Sequence, residues 1–329
     1  MPCAGRGARM ASAKERCMIR PVAGMQILAG PWWARSRSGE RYEPVGYLFI
    51  LPYLIAFVLF MVIPTVAGFY ISLTSWGGLS QGRFVGLDNY LYALRSDQFW
   101  QAVRNTLYFT VALVPALTVL GLAVAVFVHQ RFVGFALARV FFYSPYVMAV
   151  TVTGLLWMWV LDNNAGVANY YLGELIPYFK TNKIQWLASE HLAMPSIVIT
   201  TIWWLVGYQM VILLAGLQDI PAELFEAAKI DGASSGQSFW HITLPLLRPS
   251  LSFVIITNVI GSLRVFGQMF LMTQGGPAGA TTSVVLYIYM TGFQSFRFGY
   301  SAAISFLLLV GILIFTLIQL RLLRARSVY

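Results

Sequence analysis

Residues 103–128 read VRNTLYFTVALVPALTVLGLAVAVFV, with no charged side chain after Arg104. A hydrocarbon core about 30 Å thick asks for roughly 20 apolar residues in a helix, so this stretch reads as a membrane span. Five other stretches pass the same test: residues 46–73, 140–161, 195–217, 251–272 and 301–320. Several hold proline or glycine, among them Pro52, Pro64, Pro115, Gly154, Gly207 and Gly311. Membrane helices tolerate both, because neighbouring groups re-satisfy the freed backbone. Composition points the same way. The chain is 58% hydrophobic and 10% charged, with a mean hydropathy of +0.70, whereas a soluble domain carries about 25% charged residues. The expected fold class is all-α integral membrane, with six transmembrane helices in one domain over residues 44–329. A basic, disordered tail is expected at 1–43.

A net charge of +10 could suggest nucleic acid, but its placement argues otherwise. Eight basic residues (Arg6, Arg9, Lys14, Arg16, Arg20, Arg35, Arg37 and Arg41) crowd the tail before the first span. A basic flank beside an apolar span is the ordinary mark of a cytoplasmic end, and no aromatic-interleaved basic surface follows it. With the N-terminus inside, the cytoplasmic set adds Arg131, Arg139, Lys229, Arg248, Arg321, Arg324 and Arg326, making fifteen. The outer set holds six: Arg83, Arg95, Arg104, Lys180, Lys183 and Arg297. Both termini are therefore expected in the cytoplasm, and the protein in the cytoplasmic membrane. Cys3 and Cys17 both lie in the tail, which leaves no disulfide framework. Residues 284–293 (VVLYIYMTGF) are apolar but too few to span a bilayer. They read as a short interfacial or re-entrant helix on the outer face.

One connection runs against the charge trend. Residues 217–248 (LQDIPAELFEAAKIDGASSGQSFWHITLPLLR) hold Asp219, Glu223, Glu226 and Asp231 against Lys229 and Arg248. Pro221 suits a helix start, where its missing N–H is no loss. Residues 222–230 are mostly good helix formers, and Gly232 supplies the left-handed position that ends the helix. Ser234 or Ser235 can cap a second short helix, which Pro245 and Pro249 are expected to terminate. The result is a helix–turn–helix with acidic and aromatic knobs, either a docking device or a plain amphipathic connection between two spans.

Glu226-Ala227-Ala228, three residues, Gly232, nine residues, then Ile242-Thr243-Leu244-Pro245 resembles the EAA motif of the membrane subunits of binding-protein-dependent ABC importers. The fuller string is similar to the carbohydrate branch, the maltose-type and glycerol-phosphate-type permeases. Phe84-Val85-Gly86-Leu87-Asp88-Asn89-Tyr90 resembles their segment after the first span. Thr273-Gln274-Gly275-Gly276-Pro277 resembles an outer loop, with Gln274 where the family has glycine. The resemblance implies a loop that docks in a groove of an ATPase subunit. Glu226 would meet a basic group there, Ala227 and Ala228 would allow close approach, and Gly232 would set the turn. Ile242, Leu244 and Pro245 would fix the second helix to the membrane domain. The partners it implies are a homologous second permease subunit, two ATPase subunits, an extracytoplasmic solute-binding protein and a carbohydrate substrate.

No Walker-type G-x-x-x-x-G-K-[ST], H-E-x-x-H or C-x-x-C occurs. His129, His191 and His241 are scattered and read as polar interface residues. The chain is thus expected to be no enzyme and to carry no cofactor or metal, with ATP and Mg on the partner ATPase. A stand-alone secondary transporter or channel is the alternative, but it would call for intramembrane Asp or Glu, and the six spans contain none. Deep polar side chains include Arg264, Asn258 and Gln268 in the fifth span and Gln209 in the fourth, near Trp203 and Trp204. These read either as the polar wall of a translocation path or as interhelical glue.

Overall fold

A computed structural model of the chain describes residues 44–78, 82–130 and 134–324. The expectation for residues 1–43 lies outside the described residues. Among those described there is no strand, only an isolated bridge between Thr74 and Phe84. Contacts divide the chain into a unit ending at Val58 and a unit that begins at Leu59. The first contributes α1 (Pro44–Phe57), whose Tyr53 and Phe57 rings stack 6.1 Å apart.

In the second unit a π-helical turn leads into α2 (Ile63–Ser72), followed by α3 (Asp88–Arg95) and the 33-residue α4 (Asp97–His129). Ser96 caps α4 by accepting from the Phe99 N–H, and Asp97 complements the positive end of the dipole. Its buried residues recur every three or four positions: Phe99, Ala102, Thr106, Phe109, Leu113, Leu117, Gly121, Ala125 and Val128. They form one face. The opposite face exposes Val111, Val119 and Leu120. Large apolar surface of this kind is rare on a soluble monomer and suits a lipid solvent.

The next elements are α5 (Phe135–Val147), α6 (Val150–Val160), α7 (Val167–Leu175), α8 (Tyr178–Thr181) and α9 (Ala193–Gln218). Helix α9 packs along α4. Phe109, Leu113 and Leu117 share a core cluster with Met194, Ile197 and Val198. Ala125 and Val128 share another with Met210, Leu213 and Leu217. The two helices therefore run parallel and end together. Beyond α9 lie α10 (Ala222–Ile230), α11 (Ser235–Ser238), α12 (Leu244–Leu246) and α13 (Arg248–Leu263). The chain closes with α14 (Gly267–Met272), α15 (Val284–Tyr289) and α16 (Phe298–Arg324). A third cluster joins Ala93, Phe99, Ala102, Val284, Tyr300 and Ile304 at the opposite end of this unit from α10.

Four helices are long and apolar enough to cross a membrane, and up to six if each of two bent pairs is one span. The bends depart from what apolar runs alone suggest. Residues 140–161 are not one helix: α5 starts at Phe135 and meets α6 at 98° across Met148 and Ala149, both extended. Pro145 cannot donate to the Phe141 carbonyl, and the Ser144 hydroxyl takes that acceptor instead, at 3.1 Å. The Trp204 indole N–H donates to the Met148 carbonyl at 3.1 Å, so the break is fixed by α9. Gly207 allows that approach, since a Cβ there would collide with the Phe142 carbonyl.

Residues 251–272 are also interrupted. Helix α13 stops at Leu263, and the Val265 carbonyl is taken by the Ser283 hydroxyl at 2.8 Å. Residues 284–293 do form a short helix, α15 continued by a π-turn over Met290–Gln294.

Candidate functional site

The loop after α9 is closed at the end of α10 and capped at the start of α11. Pro221 stands just ahead of the first helical residue of α10, with Glu223 in the first turn and Lys229 in the last. Asp231 follows the helix, and Gly232 adopts φ +79°. The Ala233 N–H bonds back to the Ala228 carbonyl at 2.8 Å and the Gly232 N–H to the Lys229 carbonyl at 3.1 Å. This is a Schellman closure, which needs a left-handed residue at Gly232. Two residues on, Ser234 opens α11 with a capping box. The Gln237 N–H reaches Ser234 Oγ at 3.3 Å, and the Ser234 N–H reaches Gln237 Oε1 at 2.8 Å. Of the two expected caps, Ser234 is the one used.

Pro245 does not terminate the second helix. A π-turn over Phe239–Thr243 carries the chain into α12, and the direction changes by 64° only after Leu246. Pro249 then sits in the first turn of α13. The wider turn accommodates the proline that would otherwise interrupt a regular ladder.

The two arms of the loop differ in attachment. Thr243 and Leu247 are buried, and Leu247 shares a core cluster with Val128, Met210 and Leu217. Ile242, Leu244 and Pro245 are half-buried beside them. Helix α10 buries none of its residues. Glu226 and Ala227 are exposed, and Glu226 makes no ion pair among the described residues. Ala228, Gly232 and Ile242 line one cleft of about 380 Å³ between the arms, together with Asp231 and His241. Glu226 stands outside it. Ile230, 87% exposed, was not singled out from the sequence, although it is a large apolar residue in a segment too polar to be a span. Trp240, one of the expected aromatic knobs, is 65% exposed.

The polar residues of the spans do not converge on one place. Gln209 and Asn258, 1% and 9% exposed, meet across α9 and α13, with Gln209 Nε2 donating to Asn258 Oδ1 at 2.6 Å. Gly121 of α4 makes room, since a Cβ there would lie 2.7 Å from the Gln209 Cβ. Gln209 Oε1 and Asn258 Nδ2 are buried without partners. Trp203 is half-buried against Trp157, ring centroids 5.7 Å apart. Gln268 is buried on α14. Arg264 is exposed at the C-cap of α13, where a cation complements the helix dipole.

The segments flanking the spans also have structural roles. Asn89 Nδ2 donates to the Ser72 and Thr74 carbonyls, both at 2.8 Å, closing the end of α2. Gly86 supplies the turn before it at φ +58°. In the connection before α15, Asn105 of α4 donates to the carbonyls of Gly279 and Thr282.

Apolar helices long enough to cross a bilayer define a multi-pass membrane protein. The family model described as "Binding-protein-dependent transport system inner membrane component" matches residues 93–328, and the chain belongs to that family. It is 36% identical over 292 residues to a trehalose/maltose transport system permease protein, MalF, of Thermococcus litoralis, covering 88% of this chain and 97% of that one. It is 34% identical to a multiple sugar-binding transport system permease protein, MsmF, of Streptococcus mutans, covering 84% and 94%. Among solved structures, a bacterial ABC transporter involved in import of the acidic polysaccharide alginate shares the fold. Its TM-score is 0.76 at 21% identity, with 86% of this chain and 96% of that chain covered.

Proposed function

We propose that this chain is the permease subunit of an ATP-driven importer and forms half of the translocation pathway for a sugar or sugar-like solute. The observation that carries the reading is the loop after α9. One arm is rooted in the core by Leu247, and the other, α10, projects with Glu226, Ala227 and Ile230 exposed. A helix that buries nothing in its own chain, yet is closed by a Schellman turn and followed by a capping box, is pre-ordered for a partner.

In this reading the chain crosses the cytoplasmic membrane six times, with α5 and α6 making one span and α13 with α14 another. Both termini and α10 lie on the cytoplasmic side, as the distribution of Lys and Arg supports. A homologous second permease completes the path. Two ATPase subunits, which hold ATP and Mg, receive α10, where Glu226 offers a charge-assisted hydrogen bond and Ala227 and Ala228 permit close approach. Their closure moves α10, and Ile242, Leu244 and Pro245 pass that motion to α13 as a rigid-body shift. An extracytoplasmic solute-binding protein delivers the solute at the other end. The carbohydrate assignment rests on similarity to the trehalose/maltose and multiple sugar-binding permeases. This chain performs no catalysis of its own.

Proteoliposomes holding the permease pair, the ATPase and a sugar-loaded binding protein should take up labelled sugar only when ATP is enclosed. Uptake by this chain alone, without ATP, would mark a secondary transporter instead.

A further inference from the structure

At the end of the second unit opposite α10, the start of α4 faces the connections on either side of α15 across a cleft of about 430 Å³. That volume falls within the about 300–1,000 Å³ of small-molecule sites. Gln98 and Gln101 reach it from α4, Tyr287 from α15, and Thr291, Ser295 and Arg297 from the stretch before α16. Both walls use backbone that side chains rarely adopt. Ala278, in the lining, has φ +48°, and Phe296, beside Arg297, has φ +54°. Hydrogen bonds hold them there. Gln101 Nε2 donates to the Ala278 carbonyl at 3.3 Å, and Asn105 Nδ2 to the Gly279 carbonyl at 2.8 Å. The Arg297 N–H donates to the Thr291 carbonyl at 3.0 Å. Strained residues persist only where their surroundings over-determine them, and they gather at ligand clamps.

Arg297 is pre-set on the second wall. Its guanidinium lies 5.0 Å from the Tyr92 ring centroid and 4.7 Å from that of Tyr300. Yet it makes no side-chain hydrogen bond or ion pair among the described residues, so its five N–H donors are unused. The Gln98 amide nitrogen, Gln101 Oε1 and the hydroxyls of Thr291 and Ser295 are also without partners among the described residues. No carboxylate lines the cleft. The free groups are therefore mostly donors around one fixed cation, which suits an acceptor-rich anion. Amides and hydroxyls on both walls match a ligand whose own hydroxyls donate and accept, and Tyr287 and Met290 add apolar contact.

We propose that this cleft is a subsite for an anionic sugar unit, its carboxylate or phosphate on the Arg297 fork and its hydroxyls on Gln98, Gln101 and Ser295. Its place in transport rests on the importer reading, in which solute arriving at the end opposite α10 meets the cleft before it enters the spans.

The purified permease complex, without binding protein or ATP, can be titrated calorimetrically with glucuronate, glucose 6-phosphate, glucose and acetate. Glucuronate and glucose 6-phosphate should each bind at least about tenfold more tightly than glucose or acetate, a difference of ~1.4 kcal/mol. Arg297→Gln should bring both down to the glucose level. Arg297→Lys, which keeps the charge but not the planar fork, should recover only part of the preference. Gln98→Leu should weaken glucuronate and glucose alike at unchanged thermal stability. Acetate binding as tightly as glucuronate would reduce the site to a bare anion contact and overturn the proposal. So would a preference for the acidic sugars that is absent, or that survives Arg297→Gln. A loss in Arg297→Gln confined to affinity for the solute-binding protein would also overturn it, by making the cleft a protein-docking site. ATP-driven uptake in proteoliposomes is scored separately. Uptake without measurable binding would strike the subsite and leave the importer reading intact, whereas binding without uptake would do the reverse.

Discussion

Gln209 and Asn258 each bury an amide, and the single bond between them leaves an oxygen and a nitrogen without partners. That residue-scale arrangement separates the two roles open to them. If the pair is interhelical glue, Gln209→Met strands the Asn258 amide and should cost about 1–3 kcal/mol. Gln209→Met with Asn258→Leu should recover most of that loss in thermal unfolding. If the pair instead walls the path, the single change should lower sugar transport and leave stability intact. A second residue-scale expectation concerns Gln274, which adopts φ +50° where glycine would be free of strain. The left-handed conformation costs a side-chain-bearing residue roughly 1–2 kcal/mol. Glycine's greater chain entropy offsets part of this. Gln274→Gly should therefore stabilise by less than about 1 kcal/mol, read as a small rise in Tm. Both the polar residues and the left-handed turns were legible as residue types. Which amides pair was not, because an all-round apolar helix such as α9 gives no periodicity from which to orient Gln209. The helix end at Leu263 was not legible for a related reason: an unbroken apolar run conceals it, and Ser283, bonded to the carbonyl of Val265 eighteen residues before it, helps to define it.

At the scale of elements, the helices of the loop after α9 were legible almost residue by residue, since Gly232, Ser234 and Pro221 act locally. The bends at Met148 and Leu263 were not, because contacts distant in sequence stabilise them. The connection from α6 to α9 is organised by Asn169, which is buried. Its Nδ2 donates to the Ile184 carbonyl at 3.0 Å, and its Oδ1 accepts from the Ile184 N–H and the Trp186 indole. At the start of this connection, Asp162 Oδ1 accepts from the N–H groups of Ala165 and Asn164, at 2.8 and 2.9 Å. These bonds favour the ionised form and hold its carboxyl below the usual carboxylate range. A lowered folded pKa gives support that is present above the unfolded value and is lost as pH falls through the folded one. The connection should become more sensitive to protease on acidification, and Asp162→Asn, which keeps an acceptor but cannot ionise, should abolish that dependence. An unchanged acid response in the variant would refute the assignment.

For the whole molecule, the proposed orientation rests on the fifteen-to-six distribution of basic residues rather than on the helices themselves. With Cys3 and Cys17 replaced by serine, an impermeant thiol reagent added to cells should label Ser295→Cys directly. It should reach Ile230→Cys only after permeabilisation. The reverse pattern would turn the protein over. Coupling is the central claim, and Gly232 tests it most directly. Its φ of +79° disfavours any side chain, above all a β-branched one, yet an added Cβ would touch nothing within 4 Å. Gly232→Val should therefore deform the loop while leaving the membrane helices packed. In the reconstituted complex, ATP hydrolysis stimulated by the sugar-loaded binding protein should fall at least about tenfold, ~1.4 kcal/mol in coupling, at unchanged thermal stability of the permease. Full stimulation in that variant would contradict the account.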